Sequence, residues 1–262
     1  MRVGWLAISI AIGLVAGAAV AQATKPRVPP GRHPGGVPVA IIGPGVEYTD
    51  AAIASRLARD GEGEIVGWDF VDNDRRPWQR CAVGNEHQPS CAALAVRAVL
   101  GEAEGSCLVV VRVAADRPQS LVDAVKLTAS GPARIVLIAP DGLAPPPALL
   151  AEAAARFPQL LFIVPAPISG PATKSPNVLS VVAATITHSS VEPAAAAAAD
   201  LAVFVQLVAT ALPESYRRRS DIAAARTAAM AARLSAAVPG LDAATLKRRI
   251  LEQATALTSN RR

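Results

Sequence analysis

The sequence predicts an α/β fold, with a mostly parallel sheet and helices on both of its faces. Several short runs are apolar at nearly every position, as strands buried on both sides are. Segments with a helical pattern alternate with these runs along the chain. The 262 residues also suffice for one sizeable core, even without an apolar leader. Because such sheets bind ligands at the carboxyl ends of their strands, we expect a site there.

The first 23 residues have the features of a secretory signal peptide. Met1 and Arg2 give a positive start, residues 3–20 are almost wholly apolar, and small residues precede two cleavage points, after Ala21 and after Ala23. The alternative is an uncleaved membrane anchor. We expect cleavage, so the mature protein should be periplasmic or secreted, with no membrane span. The high alanine content is typical of a bacterial genome rich in GC.

Strands are predicted where apolar runs end at Gly, Pro or polar residues. A lead-in at residues 24–37, rich in Pro, Gly and Arg, should be extended and poorly packed. Residues 38–258 then form one domain. Its first strand, 37–42, is closed by a turn at Gly43, Pro44 and Gly45. Further strands are predicted at 64–71, 106–113, 134–139, 159–164, 178–183 and 201–205.

Helices are predicted between the strands and in the tail. In the helix at 90–100, Ser90 is the candidate N-cap, and apolar residues at nearly every position suggest burial on most sides. Prolines begin the helix at 147–156. Gly240 separates the last two helices, and Asp242 should cap the second of them. The other helices are predicted at 50–59, 119–129, 221–236 and 242–256.

Charge and composition exclude some classes of partner and cofactor. The 26 basic and 21 acidic residues are scattered, and the few aromatic residues do not interleave with the basic clusters, so we expect no nucleic-acid partner. Of the three cysteines, Cys81, Cys91 and Cys107, the first two flank His87 and are our first choice for a disulfide. A metal site of Cys81, His87 and Cys91 would lack a fourth ligand and the usual pair spacing. We therefore expect no metal and no other cofactor.

Several stretches together resemble the subtilisin-like serine peptidases, the subtilases. Residues 39–48 (VAIIGPGVEY) are similar to the strand and turn that carry the family's catalytic aspartate, usually Val-Ala-Val-Ile-Asp-Thr-Gly-Val. Residues 87–94 (HQPSCAAL) fall where the family has His-Gly-Thr-His-Val-Ala-Gly-Ile. The resemblance continues at 65–74, 108–113, 175–185, 223–234 and 242–254, and spans about 38–257. It implies a subtilisin-like α/β fold and, by family alone, serine endopeptidase activity.

The residues at the family's catalytic positions do not fit that activity. A serine peptidase needs a hydroxyl nucleophile, a histidine base and a carboxylate that orients the histidine. The resemblance places Gly43 at the acid, His87 at the base and Asp221 at the nucleophile, or Ser220 if the alignment shifts by one residue. It places Ile168, which cannot donate a hydrogen bond, at the oxyanion position. Only the histidine position is kept.

We therefore expect an exported pseudopeptidase that binds a peptide or protein partner. The first alternative is a serine-type endopeptidase or other hydrolase with residual activity through His87 and Ser220. The second is a purely structural envelope protein without a ligand site. A fold-level resemblance cannot choose among these.

Each candidate residue also has a simpler explanation, which we favour. His87 fits a turn histidine that is satisfied by backbone or water, and Ser220 fits a surface helix cap. Asp221 would be a first-turn charge favoured by the helix dipole. The acidic residues Asp69, Asp72 and Asp74 could hold a cation, but nothing supplies six oxygen ligands at fixed spacing. We expect these three to be solvated loop acids.

Overall fold

The computed structural model describes residues 25–80, 92–138, 145–166, 174–184, 199–204 and 216–259. Within them, seven strands form one parallel sheet in the order β2-β3-β1-β4-β5-β6-β7. This confirms the predicted α/β architecture. The strands are β1 Val37–Gly43, β2 Trp68–Asp69, β3 Ser106–Arg112, β4 Ile135–Ile138, β5 Leu161–Pro165, β6 Val178–Ala184 and β7 Leu201–Phe204.

Helices cover both faces of the sheet. In the described part of the chain they are α1 Ala51–Ala54, α2 Ala93–Glu102, α3 Pro118–Ser130, α4 Pro147–Arg156, α5 Tyr216–Ala237 and α6 Ala243–Ser259. Alternate residues of β1 point to opposite sides. Val39 and Ile41 join the core formed with α2, α5 and α6, whereas Ala40 and Ile42 join the core formed with α3 and α4.

Helix α5 packs across the centre of the sheet, against β1, β4, β5 and β6. Its sheet-facing side consists largely of alanines that are completely or almost completely buried. Small side chains allow the helix backbone to approach the strands closely, which explains why so alanine-rich a segment lies in the core. The buried alanines are Ala223, Ala224, Ala225, Ala228, Ala229, Ala231 and Ala232.

Helices α2 and α5 both run from the carboxyl edge of the sheet toward its amino edge. At the carboxyl edge, the Ala92 N–H donates to the Gly45 carbonyl oxygen, just beyond the end of β1, at 2.9 Å. At the amino edge, the end of α2 and the turn before β3, residues 101–105, line a cleft with Ala232 and Ala236 of α5. The first half of α5 therefore lies toward the edge where β1 ends.

Two predicted elements are much shorter than expected. The helix predicted at 50–59 ends after Ala54, because the Ala58 N–H donates to Leu108 O and the chain joins the sheet. The strand predicted at 64–71 is only Trp68–Asp69. Upstream of it, Ile65 pairs with Arg59, and Gly67 crosses so close to β3 that a Cβ would lie 2.4 Å from Val110 O.

The helix boundaries around the predicted caps also differ. Helix α2 is buried on one side, not on most sides, since Leu94 is 39% exposed and Arg97 is exposed. Ser90, its predicted cap, lies outside the described residues. Asp242 caps α6 as predicted, with Oδ1 accepting the Thr245 N–H at 2.8 Å. Gly240, at φ 84°, adopts the left-handed conformation that ends the preceding segment.

The lead-in contains no helix or strand over residues 25–36, but it is not poorly packed as predicted. Tyr48 donates its hydroxyl hydrogen to Pro26 O at 2.8 Å, and Val28 packs against the core. Lys25 enters a cluster of carboxylates. Composition did not reveal these contacts because each partner lies far away in sequence.

None of the described helices has the length and apolar character needed to cross a membrane.

Candidate binding site at the carboxyl edge of the sheet

Gly43 ends β1 in the middle of the carboxyl edge. It is buried, it pairs in register with Arg112 at the end of β3, and its carbonyl oxygen accepts the Val113 N–H at 2.9 Å. The turn that follows needs glycine at position 45. Gly45 has φ 101°, and a Cβ there would lie 2.9 Å from Pro77 O. The strand end therefore presents backbone and no ionisable side chain.

Arg112 provides the charge beside Gly43. Its Nε donates to Pro44 O at 3.1 Å, and its Nη2 donates to Gln79 Oε1 at 3.2 Å. Its Nη1 donates to Asp69 Oδ2 at 2.9 Å and to Asp72 Oδ2 at 2.8 Å. One guanidinium thus joins the turn after β1 to the segment after β2. The residue on β3 that pairs with Gly43 is therefore positively charged.

Asp69 is completely buried and fully satisfied. Its Oδ1 accepts the backbone N–H groups of Val71 at 2.8 Å and Asp72 at 3.1 Å. Its Oδ2 accepts Nη1 of Arg112 and Nζ of Lys25, the latter at 2.6 Å. A buried charge is tolerated when ion pairs and hydrogen bonds replace its hydration, as they do here.

Lys25 completes this cluster from the lead-in. Its Nζ lies 2.6 Å from Asp69, 2.8 Å from Asp72 and 3.2 Å from Asp74, and it donates to Arg76 O at 3.0 Å. Burial alone would lower the pKa of Lys25, but the hydrogen bonds to Asp69 and Asp72 outweigh burial and raise it. The hydrogen bond from Lys25 lowers the pKa of Asp72. For Asp74, burial acts to raise the pKa, but the Arg76 N–H and Lys25 lower it overall.

The prediction of solvated loop acids is therefore wrong for Asp69, which is completely buried, whereas Asp72 is exposed and Asp74 partly exposed. Asp69, Asp72 and Asp74 do hold cations, but these are the Lys25 ammonium and the Arg112 guanidinium. Sequence reasoning missed both basic residues. The available signal was that two neighbouring strands end in residues of opposite charge, Asp69 on β2 and Arg112 on β3. Nothing local pointed to Lys25.

Ser220 is not a surface helix cap. Helix α5 begins at Tyr216, so Ser220 lies within the helix, and it is completely buried. Its Oγ has no hydrogen-bond partner among the described residues. A nucleophile must reach a substrate carbonyl and a base, so complete burial opposes that role. The predicted helix start at residue 221 was too late because the arginine-rich turn before Ser220 resembles a loop in sequence.

Asp221 is likewise not a first-turn residue. It follows Ser220 in the second turn of α5, where the helix dipole has less effect, since that effect falls off within the first turn. The first turn contains no acidic residue. The dipole explanation for Asp221 is therefore wrong. Its side chain is a carboxylate and cannot act as a hydroxyl nucleophile.

Four predicted site residues cannot be placed. His87, Ile168, Cys81 and Cys91 lie outside the described residues, so the proposed disulfide and the oxyanion position stay predictions. The structure does bring Gly43 and the first half of α5 to the same edge of the sheet. Ala92 is the first described residue after the segment that contains His87, and its backbone N–H donates to Gly45 O.

The overall fold is similar to that of solved structures. A cold adapted subtilisin-like serine proteinase aligns with a TM-score of 0.55 and 16% identity, over 82% of this chain and 80% of that chain. The fold is subtilisin-like. A structure described as S41 psychrophilic protease aligns with a TM-score of 0.51 and 14% identity, over 87% of this chain and 85% of that chain. No family model and no curated protein sequence matches the chain.

This subtilisin-like fold confirms the resemblance that the sequence suggested, at the level of architecture. Identities of 14–16% support a common fold and leave activity to be argued from the site. In this subtilisin-like chain, β1 ends in Gly43, and the adjacent strand contributes Arg112. The edge can offer backbone groups and a cation to a ligand, and it lacks a carboxylate at the end of β1.

Proposed function

We propose that this protein is an exported, catalytically inactive relative of the subtilisin-fold peptidases that binds a peptide or protein segment at the carboxyl edge of its sheet. The observation that carries the proposal is the end of β1, where Gly43 occupies the predicted acid position beside Arg112. A carboxylate is needed to orient a catalytic histidine and to stabilise its protonated form. Glycine supplies neither function.

The nearby carboxylates do not replace the missing acid. Asp69 ends β2 and Asp72 and Asp74 follow it, on the far side of β3 from β1, and each pairs with Lys25 or Arg112. Arg112 also lies between this cluster and the turn at Pro44.

The hydrolase alternative through His87 and Ser220 is opposed by the burial of Ser220 within α5. A serine with no exposed surface cannot attack an extended peptide without a rearrangement of the helix. Peptide binding does not require an exposed nucleophile. It requires a surface at the strand ends, where parallel sheets commonly hold their ligands.

The first test asks whether the protein has serine-hydrolase activity. The mature protein is incubated with a fluorophosphonate probe beside an active serine peptidase. We expect labelling of the peptidase alone. Labelling of this protein that disappears in Ser220→Ala would overturn the proposal of an inactive site. Hydrolysis of casein that disappears in His87→Ala would do the same.

The second test addresses binding. A phage-displayed library of random dodecapeptides is panned against the mature protein, and the affinities of enriched peptides are measured. We expect Pro44→Glu, next to Gly43, to weaken these affinities at least about tenfold, a loss of about 1.4 kcal/mol. The matched control is Ser130→Glu, at the exposed end of α3. Failure to enrich any peptide would favour a purely structural protein, and equal effects of the two variants would contradict binding at the carboxyl edge.

A further inference from the structure

The lead-in forms a strap, residues 25–36, that runs the height of the sheet. At the carboxyl edge it is held by the Lys25 ion pairs. At the amino edge it passes into β1, where the Val37 N–H donates to Gly105 O at 2.9 Å. Between these ends it wraps around one residue, Arg59, in the segment after α1. The strap therefore has a middle anchor that is separate from its two ends.

The middle anchor consists of two hydrogen bonds that Arg59 donates to the strap, and a third hydrogen bond holds its guanidinium to the turn after it. The guanidinium donates to Pro29 O at 2.6 Å and to Gly63 O at 2.7 Å. The Arg59 backbone N–H donates to Nδ1 of His33 at 3.0 Å. Arg59 is 6% exposed, and Gly31 lies so close that a Cβ would be 3.0 Å from its Nε. The Arg59 N–H is thus satisfied by an imidazole on the strap.

This contact requires a neutral imidazole. Nδ1 can accept only while it carries no proton, and an imidazolium offers two N–H donors and no acceptor. A protonated ring would set its Nδ1–H against the Arg59 N–H. Histidine is the side chain whose ordinary charge change falls between pH 5 and 8. His33 is exposed, so protons reach it freely.

The charged residues near His33 in the chain come from the strap and from the turn after Arg59. Arg59 comes from the segment after α1, and Arg32 from the strap itself. The following turn carries Asp60, Glu62 and Glu64, all exposed. Asp60 Oδ1 is used by the backbone N–H groups of Glu62 and Glu64. Among the described residues, no carboxylate forms an ion pair with the His33 ring.

We propose that His33 is a pH-sensitive latch, whose protonation frees the middle of the strap from Arg59 while both ends stay attached. The Lys25 end remains closed in mild acid because Lys25 keeps the pKa values of Asp72 and Asp74 below their ordinary range. The strap then opens as a loop between fixed ends. The proposal rests on the described strap alone and is independent of any peptide binding at Gly43.

The test is amide hydrogen exchange of the mature protein, followed by NMR at pH 7.5 and pH 5.5 and corrected for the intrinsic pH dependence of exchange. We expect the protection of the Arg59 amide to fall about fivefold at pH 5.5, the ratio that corresponds to one net hydrogen bond. The amides of Ala58 and Val66, which donate to Leu108 O and Ala58 O, serve as internal controls and should keep their protection.

Two variants separate a latch from a general loss of structure. In His33→Gln, the side-chain oxygen can accept the Arg59 N–H without titrating, so protection should be high at both pH values. In His33→Ala, protection of the Arg59 amide should be low at both. Equal protection of that amide in the wild-type protein at the two pH values, or an unchanged pH dependence in His33→Gln, would overturn the proposal.

Discussion

Arg112 on β3 lies directly opposite Gly43 on β1, and its Nε donates to the carbonyl oxygen of the next residue, Pro44, at 3.1 Å. The strand end that would carry an acid in a peptidase is thus bound by a cation from its neighbour. The same guanidinium reaches the buried carboxylate of Asp69 at 2.9 Å. Arg112 therefore stabilises the buried Asp69 and also binds the turn after Gly43, where a catalytic acid is missing.

Replacement of Arg112 should destabilise the protein substantially. Arg112→Met leaves Asp69 completely buried with Lys25 as its remaining basic partner among the described residues. We expect a loss of about 2–4 kcal/mol in the free energy of unfolding, since a buried charge loses part of its compensation. Urea denaturation measures this loss. Arg97→Met is the matched control because its pair with Asp50 is exposed, and it should cost about 0.5 kcal/mol or less. Equal costs would contradict the assigned role of Arg112.

Replacement of Lys25 should have a pH-dependent effect. Because the pKa values of Asp72 and Asp74 are lowered in the folded protein, their stabilisation is present above the ordinary pKa and disappears as the pH falls through the folded values. Lys25→Met should therefore destabilise the protein fully at pH 7 and progressively less as the pH falls below the ordinary aspartate value of 3.8. Guanidinium chloride is unsuitable because it screens charge, so urea titrations at several pH values are preferred. A penalty independent of pH would refute the ion-pair explanation.

Tyr48 should titrate unusually late. Burial raises its pKa to about 12, and its hydroxyl donates to Pro26 O. Of the two tyrosines in the sequence, Tyr48 should supply an absorbance step near this value, and Tyr48→Phe should remove that step. A raised pKa means that stabilisation is complete below the ordinary value near 10 and is lost as the pH rises through about 12. At pH 7 the variant should cost about 1 kcal/mol, the value of one hydrogen bond.

Removal of the Ser220 hydroxyl should cost little. Its Oγ is buried and has no partner in the described part of the chain, so Ser220→Ala should change the free energy of unfolding by about 0.5 kcal/mol or less. Asn177→Leu provides the contrast. Its Nδ2 donates to the carbonyl oxygens of Ala154, Phe157 and Leu160, which surround the end of α4, and its loss should cost about 2 kcal/mol. A large penalty for Ser220→Ala would show that the hydroxyl has a partner in the native protein.

Local pattern was sufficient for most of the fold. The strands around Ile41, Val110 and Ile163 were predicted because parallel strands that are buried on both faces are apolar at successive positions. Asp242 was predicted as a cap because capping involves residues three positions apart. Elements whose limits depend on neighbours were predicted poorly. The short β2 and the early end of α1 follow from contacts with β3 that the local sequence does not encode.

The sequence by itself determined the α/β class, the order of strands along the chain and the glycine at the end of β1. Those features depend on residue type and on neighbours within a few positions. Only the tertiary structure decided that Arg112 stands beside Gly43, that Lys25 closes the carboxylate cluster, and that Ser220 lies inside a buried helix. The reason is physical. Charge pairing and burial depend on distances between residues that are more than 40 positions apart in the chain, and these distances exist only once the sheet has assembled.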